Sequence, residues 1–91
     1  MTAMRYLFVI EKASRNYSGY FPDVPGCVTT AKSVDKLLTL AHEALEFHLE
    51  DETEPPRSRT LKSHLAKGLK LAPSDMIAWV KYELRPGLVT A

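Results

Sequence analysis

Apolar positions alternate with a period of two over Met4–Lys12 ("MRYLFVIEK"), and aromatic and β-branched residues dominate the run, which predicts a strand. Tyr6, Phe8 and Ile10 take one face and Leu7 and Val9 the other, so both faces are apolar, as in a strand covered on both sides. "YSGYF" (Tyr17–Phe21) and "CVTTA" (Cys27–Ala31) read as two further short strands. Between them, "PDVPG" is a turn. Pro25-Gly26 suits the central positions of a type II turn, where proline sets a negative φ and glycine accepts the positive one.

The pattern then changes to a helical period. At about 100° per residue, Val34, Leu37, Leu38, Ala41, Ala44, Leu45, His48 and Leu49 fall on one arc, which is expected to face the sheet. Asp35, Thr39, His42, Glu43, Glu46 and Glu50 fill the opposite side, and Leu40 and Phe47 widen the arc on one flank. Ser33 is the predicted N-cap of this Val34–Glu50 helix. Pro55-Pro56 cannot continue it. "SRTLKSHLAKG" (Ser58–Gly68) allows a short second helix on Leu61 and Leu65, stopped by Gly68. "MIAWVKYEL" (Met76–Leu84) is a fourth strand, with Met76, Ala78, Val80, Tyr82 and Leu84 on one face and Ile77, Trp79, Lys81 and Glu83 on the other. The order βββ-α-(α)-β defines an α+β class, a helix-on-sheet sandwich of one domain, residues 1–91 with a core of about 4–84.

Size and charge narrow the function. A chain of 91 residues at net charge +1 has no global field for nucleic acid or a membrane. No apolar run approaches the roughly 20 residues of a membrane span. Cys27 is the single cysteine, so no internal disulfide forms, and a reducing, cytoplasmic setting is expected. The charge is segregated, however. Six of the 11 acids lie within Glu43–Glu54, and five of the 12 bases lie within Arg57–Lys70 with no acid among them.

The residues that carry chemistry do not assemble into a catalytic pattern. "HEALEFH" (His42–His48) departs from H-E-x-x-H because Glu46 stands where the second histidine belongs. His48 lies in the apolar arc, whereas His42 and His64 are expected to be exposed. One cysteine and scattered histidines are poor material for zinc. Glu43, Glu46 and Glu50 share a helix face, but on its hydrophilic side, where nothing excludes water. Catalytic residues, cofactors and metals are therefore all expected to be absent, and the residues point to an interaction module.

The stretch "YSGYFPDVPGCVTTAKSVDKLLTLAHEALEFHLED" resembles the HicB antitoxin family of bacterial toxin–antitoxin modules. The likeness rests on an aromatic strand with Tyr20, on Pro22-Asp23-Val24-Pro25-Gly26-Cys27, and on Ala41-His42-Glu43-Ala44-Leu45 in the helix. It covers about residues 4–84, most closely 17–50, and implies a degenerate, partial ribonuclease H-like fold. It departs from the family at Ala31, Lys32 and Ser33, where many members carry a glycine and an acid. Many members also add a DNA-binding segment after the last strand. Seven residues follow Leu84 here, too few for a helix-turn-helix, so no direct DNA binding is expected.

The family binds and neutralises HicA toxins, small basic ribonucleases that cleave mRNA. The resemblance therefore implies a HicA-like partner, with Tyr20, Phe21 and Asp23 presented by a rigid turn and Leu40, Glu43, Glu46, Phe47 and Glu50 on the helix. The alternatives are an orphan oligomeric regulatory or structural protein without a toxin and, less favoured, a residual metal-dependent ribonuclease. Self-association as a homodimer or tetramer is expected as well. One helix of about 25 Å covers only one face of the sheet, which leaves Trp79 or the Leu40/Phe47 flank for a second copy.

Overall fold

In the computed structural model, which describes residues 3–52 and 54–83, six elements follow one another. They are β1 (Ala3–Lys12), β2 (Tyr17–Tyr20), β3 (Val28–Ala31), α1 (Val34–Leu49), α2 (Leu61–Ala66) and β4 (Met76–Glu83). The predicted position of Leu84 at the end of the last strand lies outside the described residues. The four strands form one antiparallel sheet in the order β3-β2-β1-β4. This is the α+β helix-on-sheet architecture that the period-two and period-3.6 runs predict.

Each element starts and stops for a local reason. The Ser33 hydroxyl accepts the Lys36 N–H at 3.1 Å and so caps α1. Thr60 caps α2 in the same way through the Ser63 N–H, and Gly68, at φ +110°, lies just past its end. The predicted Ser58–Gly68 helix thus contracts to its middle. Its buried side chain is His64, while Leu65 points into solvent.

The core lies between the sheet and α1. Tyr6, Phe8 and Ile10 of β1 meet Leu37, Ala41, Leu45 and Leu49 of α1, with Phe21, Val24, Cys27 and Val80 around them. Gly19 is a requirement of this packing. A Cβ there would sit 2.1 Å from Phe8 Cζ, so the bare backbone of β2 makes room for the Phe8 ring. That ring meets Phe21 at a centroid distance of 4.7 Å.

The helical phase is as predicted for Leu37, Ala41, Leu45 and Leu49, with Val34, Leu38 and Ala44 packed at the margin. His48 is the exception and is exposed. The last turn of α1 overhangs the Pro25-Gly26 turn, and His48 Cε1 comes 3.7 Å from the place of a Gly26 Cβ. With no side chain there to cover it, the imidazole stays in water. Met76, expected to face the core, is also exposed because it opens β4 at the rim of the sheet.

Candidate partner-binding faces

The PDVPG turn is built from two nested turns. The Val24 N–H donates to Phe21 O at 3.0 Å and the Cys27 N–H to Val24 O at 3.1 Å, while the Phe21 N–H closes the loop on Cys27 O at 3.3 Å. Gly26 has φ +87°, as the type II geometry demands.

This turn does not present its side chains, contrary to the expectation for Phe21 and Asp23. Phe21 is 2% exposed and belongs to the core. The Asp23 carboxylate turns inward, accepts the Arg59 N–H at 2.8 Å and lies 3.0 Å from His64 Nε2. That approach is too oblique for a hydrogen bond and leaves a charge contact. His64, expected in solvent, is 8% exposed and holds α2 against the turn. No periodicity signals this contact, because Asp23 and His64 are distant in sequence and neither belongs to an apolar stripe.

The strap leading to α2 adds two ties. The Tyr6 hydroxyl donates to Pro56 O at 2.5 Å, and the Ser58 hydroxyl donates to Arg5 O. Burial, then Tyr82 and Asp23, pushes the Tyr6 phenol up to about 12. Burial also raises the Cys27 thiol, which disfavours the thiolate a nucleophile needs. Among the described residues, no group of three or more His, Cys, Asp or Glu side chains is placed to hold a metal ion. Nor is any helix among them long and apolar enough to cross a membrane.

The outer face of α1 is different. Leu40, Glu43, Phe47 and Glu50 follow at spacings of three and four and form one stripe away from the sheet. Phe47 is 75% exposed with Glu43 and Glu50 exposed beside it, and Leu40 is half-buried. Glu46, expected to be fully exposed, is intermediate and lies 3.7 Å from His42 Nε2. Asp51, Glu52 and Glu54 extend the acidic surface beyond the helix.

A third face lies on the other side of the sheet, where no helix packs. The strand register aligns Val28, Tyr20, Val9 and Ile77 in one row across all four strands, and Leu7 with Trp79 in the next. Leu7 and Val9 are buried by their neighbours, whereas Val28 and Trp79 are 61% and 44% exposed. Tyr20 is half-buried here. Its phenol is raised by burial and then by Glu11 and Asp75, which places both carboxylates beside it. Of the sequence-predicted site residues, the structure groups Leu40, Glu43, Phe47 and Glu50 on one face and Tyr20 with Trp79 on the opposite one. Phe21 and Asp23 are withdrawn from both.

The geometry defines a small α+β domain whose distinctive features are two surfaces on opposite sides of one sheet. The chain belongs to the family of HicB-like antitoxins of bacterial toxin–antitoxin systems, whose model matches residues 6–80. It is similar to a 14.9 kDa protein from the rep-hol intergenic region of Haemophilus phage HP1, 35% identical over 66 residues. It also resembles a UPF0150 protein of Archaeoglobus fulgidus, 43% identical over 51 residues. Those matches cover 68% and 52% of this chain; the chain spans 50% of the phage protein and 70% of the archaeal one.

Among solved structures, the N-terminal domain of Burkholderia pseudomallei antitoxin HicB superposes with a TM-score of 0.74 at 22% identity, covering 89% of this chain and all of that one. Antitoxin HicB3 gives 0.70 at 22% identity, covering 93% of this chain and 65% of that one. A chain of the HicA3 and HicB3 toxin–antitoxin complex gives 0.59 at 23% identity, with 85% and 95% covered. These structural likenesses establish the shared fold.

Proposed function

We propose that this protein is an antitoxin that binds a small, basic, HicA-type mRNA-cleaving toxin and neutralises it by protein–protein contact. The observation that carries the reading is the outer stripe of α1, where the exposed Phe47 stands between Glu43 and Glu50. An exposed aromatic among carboxylates suits a cationic protein: the ring enters a pocket as an anchor, and the charges steer the encounter. Family membership and the fold shared with a chain of a HicA3–HicB3 complex support the same reading.

In this reading residues 1–91 act as one unit in the cytoplasm. Neutralisation works by occupying the toxin's surface, with no catalysis by this chain. Asp23 and Phe21 act indirectly, by holding the turn and α2 in place, and are not contacts.

The test is titration calorimetry with a HicA-type toxin, paired with a messenger-cleavage assay. Phe47→Ala with Glu43→Lys and Glu50→Lys should weaken binding by at least roughly tenfold and restore cleavage. Unchanged binding and unchanged inhibition by that variant would overturn the reading.

A further inference from the structure

The sheet face opposite α1 has an order along the strands that a single apolar patch would not need. Residues directly paired across strands share a face, so the register reads in rows. At one end stands Glu11, with Asp75 beside it in the segment leading into β4. Next come the row containing Val9 and Ile77 and the row of Leu7 and Trp79. At the other end stand Arg5 and Lys81, with Glu83 3.3 Å from Lys81. The face therefore runs from acidic, through two apolar rows, to basic.

We infer that this face docks a second copy of the same chain, sheet on sheet, about a two-fold axis that lies between the sheets and perpendicular to the strands. Such an axis reverses the strand direction. Centred between the two apolar rows, it lays Leu7 over the partner's Val9 and Trp79 over the partner's Ile77. The same operation brings Glu11 to the partner's Arg5 and Asp75 to the partner's Lys81, and each contact occurs twice. Apolar rows meet apolar rows and each acidic end meets a basic end, the self-complementarity that an isologous interface requires. Aligned sheets pack about 10 Å apart and about 30° from parallel, which the side chains of Tyr20 and Trp79 can fill.

The size is consistent with a reversible dimer. Four strands at about 4.8 Å and the stretch from Arg5 to Glu11 give a footprint of about 19 by 20 Å, at the small end of specific interfaces. This inference rests on no feature of the proposed toxin contact. The two surfaces lie on opposite sides of the sheet, so each can fail without the other.

Trp79 is the only tryptophan in the chain, which makes it a direct reporter. Sedimentation equilibrium of the full chain at micromolar concentration should show a dimer, and Trp79 emission should move to shorter wavelength as concentration rises. Trp79→Arg should raise the dimer dissociation constant at least roughly tenfold while leaving toxin binding intact. Glu11→Arg alone should weaken the dimer, and Glu11→Arg with Arg5→Glu should restore it, because the swap rebuilds both end contacts with the signs exchanged. These two positions are exposed and keep the test decisive even if Trp79→Arg fails to fold. A monomer at every concentration with unshifted emission would overturn the inference. So would a dimer indifferent to Trp79→Arg, or a double swap no tighter than the single change.

Discussion

The PDVPG turn and the outer stripe of α1 each set an aromatic residue beside a carboxylate, Phe21 near Asp23 and Phe47 near Glu43 and Glu50. The fold uses them in opposite ways. Phe21 stacks on Phe8 inside the core, and Asp23 holds Arg59 and His64. Phe47 and its carboxylates stand in water with no structural duty. The same pair of residue types is architecture where the chain reverses against a sheet, and surface where a helix turns its back on one. Residue type alone does not separate a support from a contact; what lies behind the side chain does.

Truncation should break the comparison most visibly. Phe21→Ala is expected to cost about 3–5 kcal/mol, because it empties a filled site beside Phe8. The check is denaturant unfolding; a loss below 1 kcal/mol would mean that the turn does not close the core.

Alkaline titration sharpens the turn side next. The Tyr6 phenol ionises near 10 in the unfolded chain and at about 12 in the folded one. Unfolding therefore releases a proton between those values, so stability from this group is complete below pH 10 and falls as pH rises toward 12. Two units correspond to about 2–3 kcal/mol. The loss should be smaller in Tyr6→Phe, measured as the difference in unfolding free energy across that interval.

Asp23→Ala removes the carboxylate that accepts the Arg59 N–H and faces His64, at a cost of about 1–3 kcal/mol. The effect should concentrate in faster hydrogen exchange at Arg59 and through α2, with β1 little changed. Uniform protection loss across the sheet would contradict a local clamp.

The smallest stability effect belongs to the helix. Phe47→Ala should change unfolding free energy by less than about 0.5 kcal/mol and yet weaken toxin binding. A large stability loss would show that Phe47 supports the fold and is no free anchor.

Much of the architecture was legible because it follows from local rules. The period-two runs of β1 and β4 set which residues share a face, and the α1 arc set Leu37, Ala41, Leu45 and Leu49 inward. Ser33, Gly26 and Gly68 marked a cap, a turn and a stop through backbone preferences that need no tertiary context. The P-D-x-P-G-C stretch carried the family resemblance, and the match over residues 6–80 establishes the family.

What the linear pattern left open was decided by contacts between distant segments. His64 looked like a solvent residue on a short basic helix, and only the folded turn brings Asp23 against it. His48 looked internal because a helical wheel has no ends, whereas the sheet beneath α1 gives way to Gly26 at the last turn. Phe21 and Asp23 looked presented because a turn usually lies at the surface, and here one side of the turn is the core. Sequence periodicity assigns a residue to a face of its own element. Whether another part of the chain covers that face depends on long-range packing, because burial is a property of the neighbours.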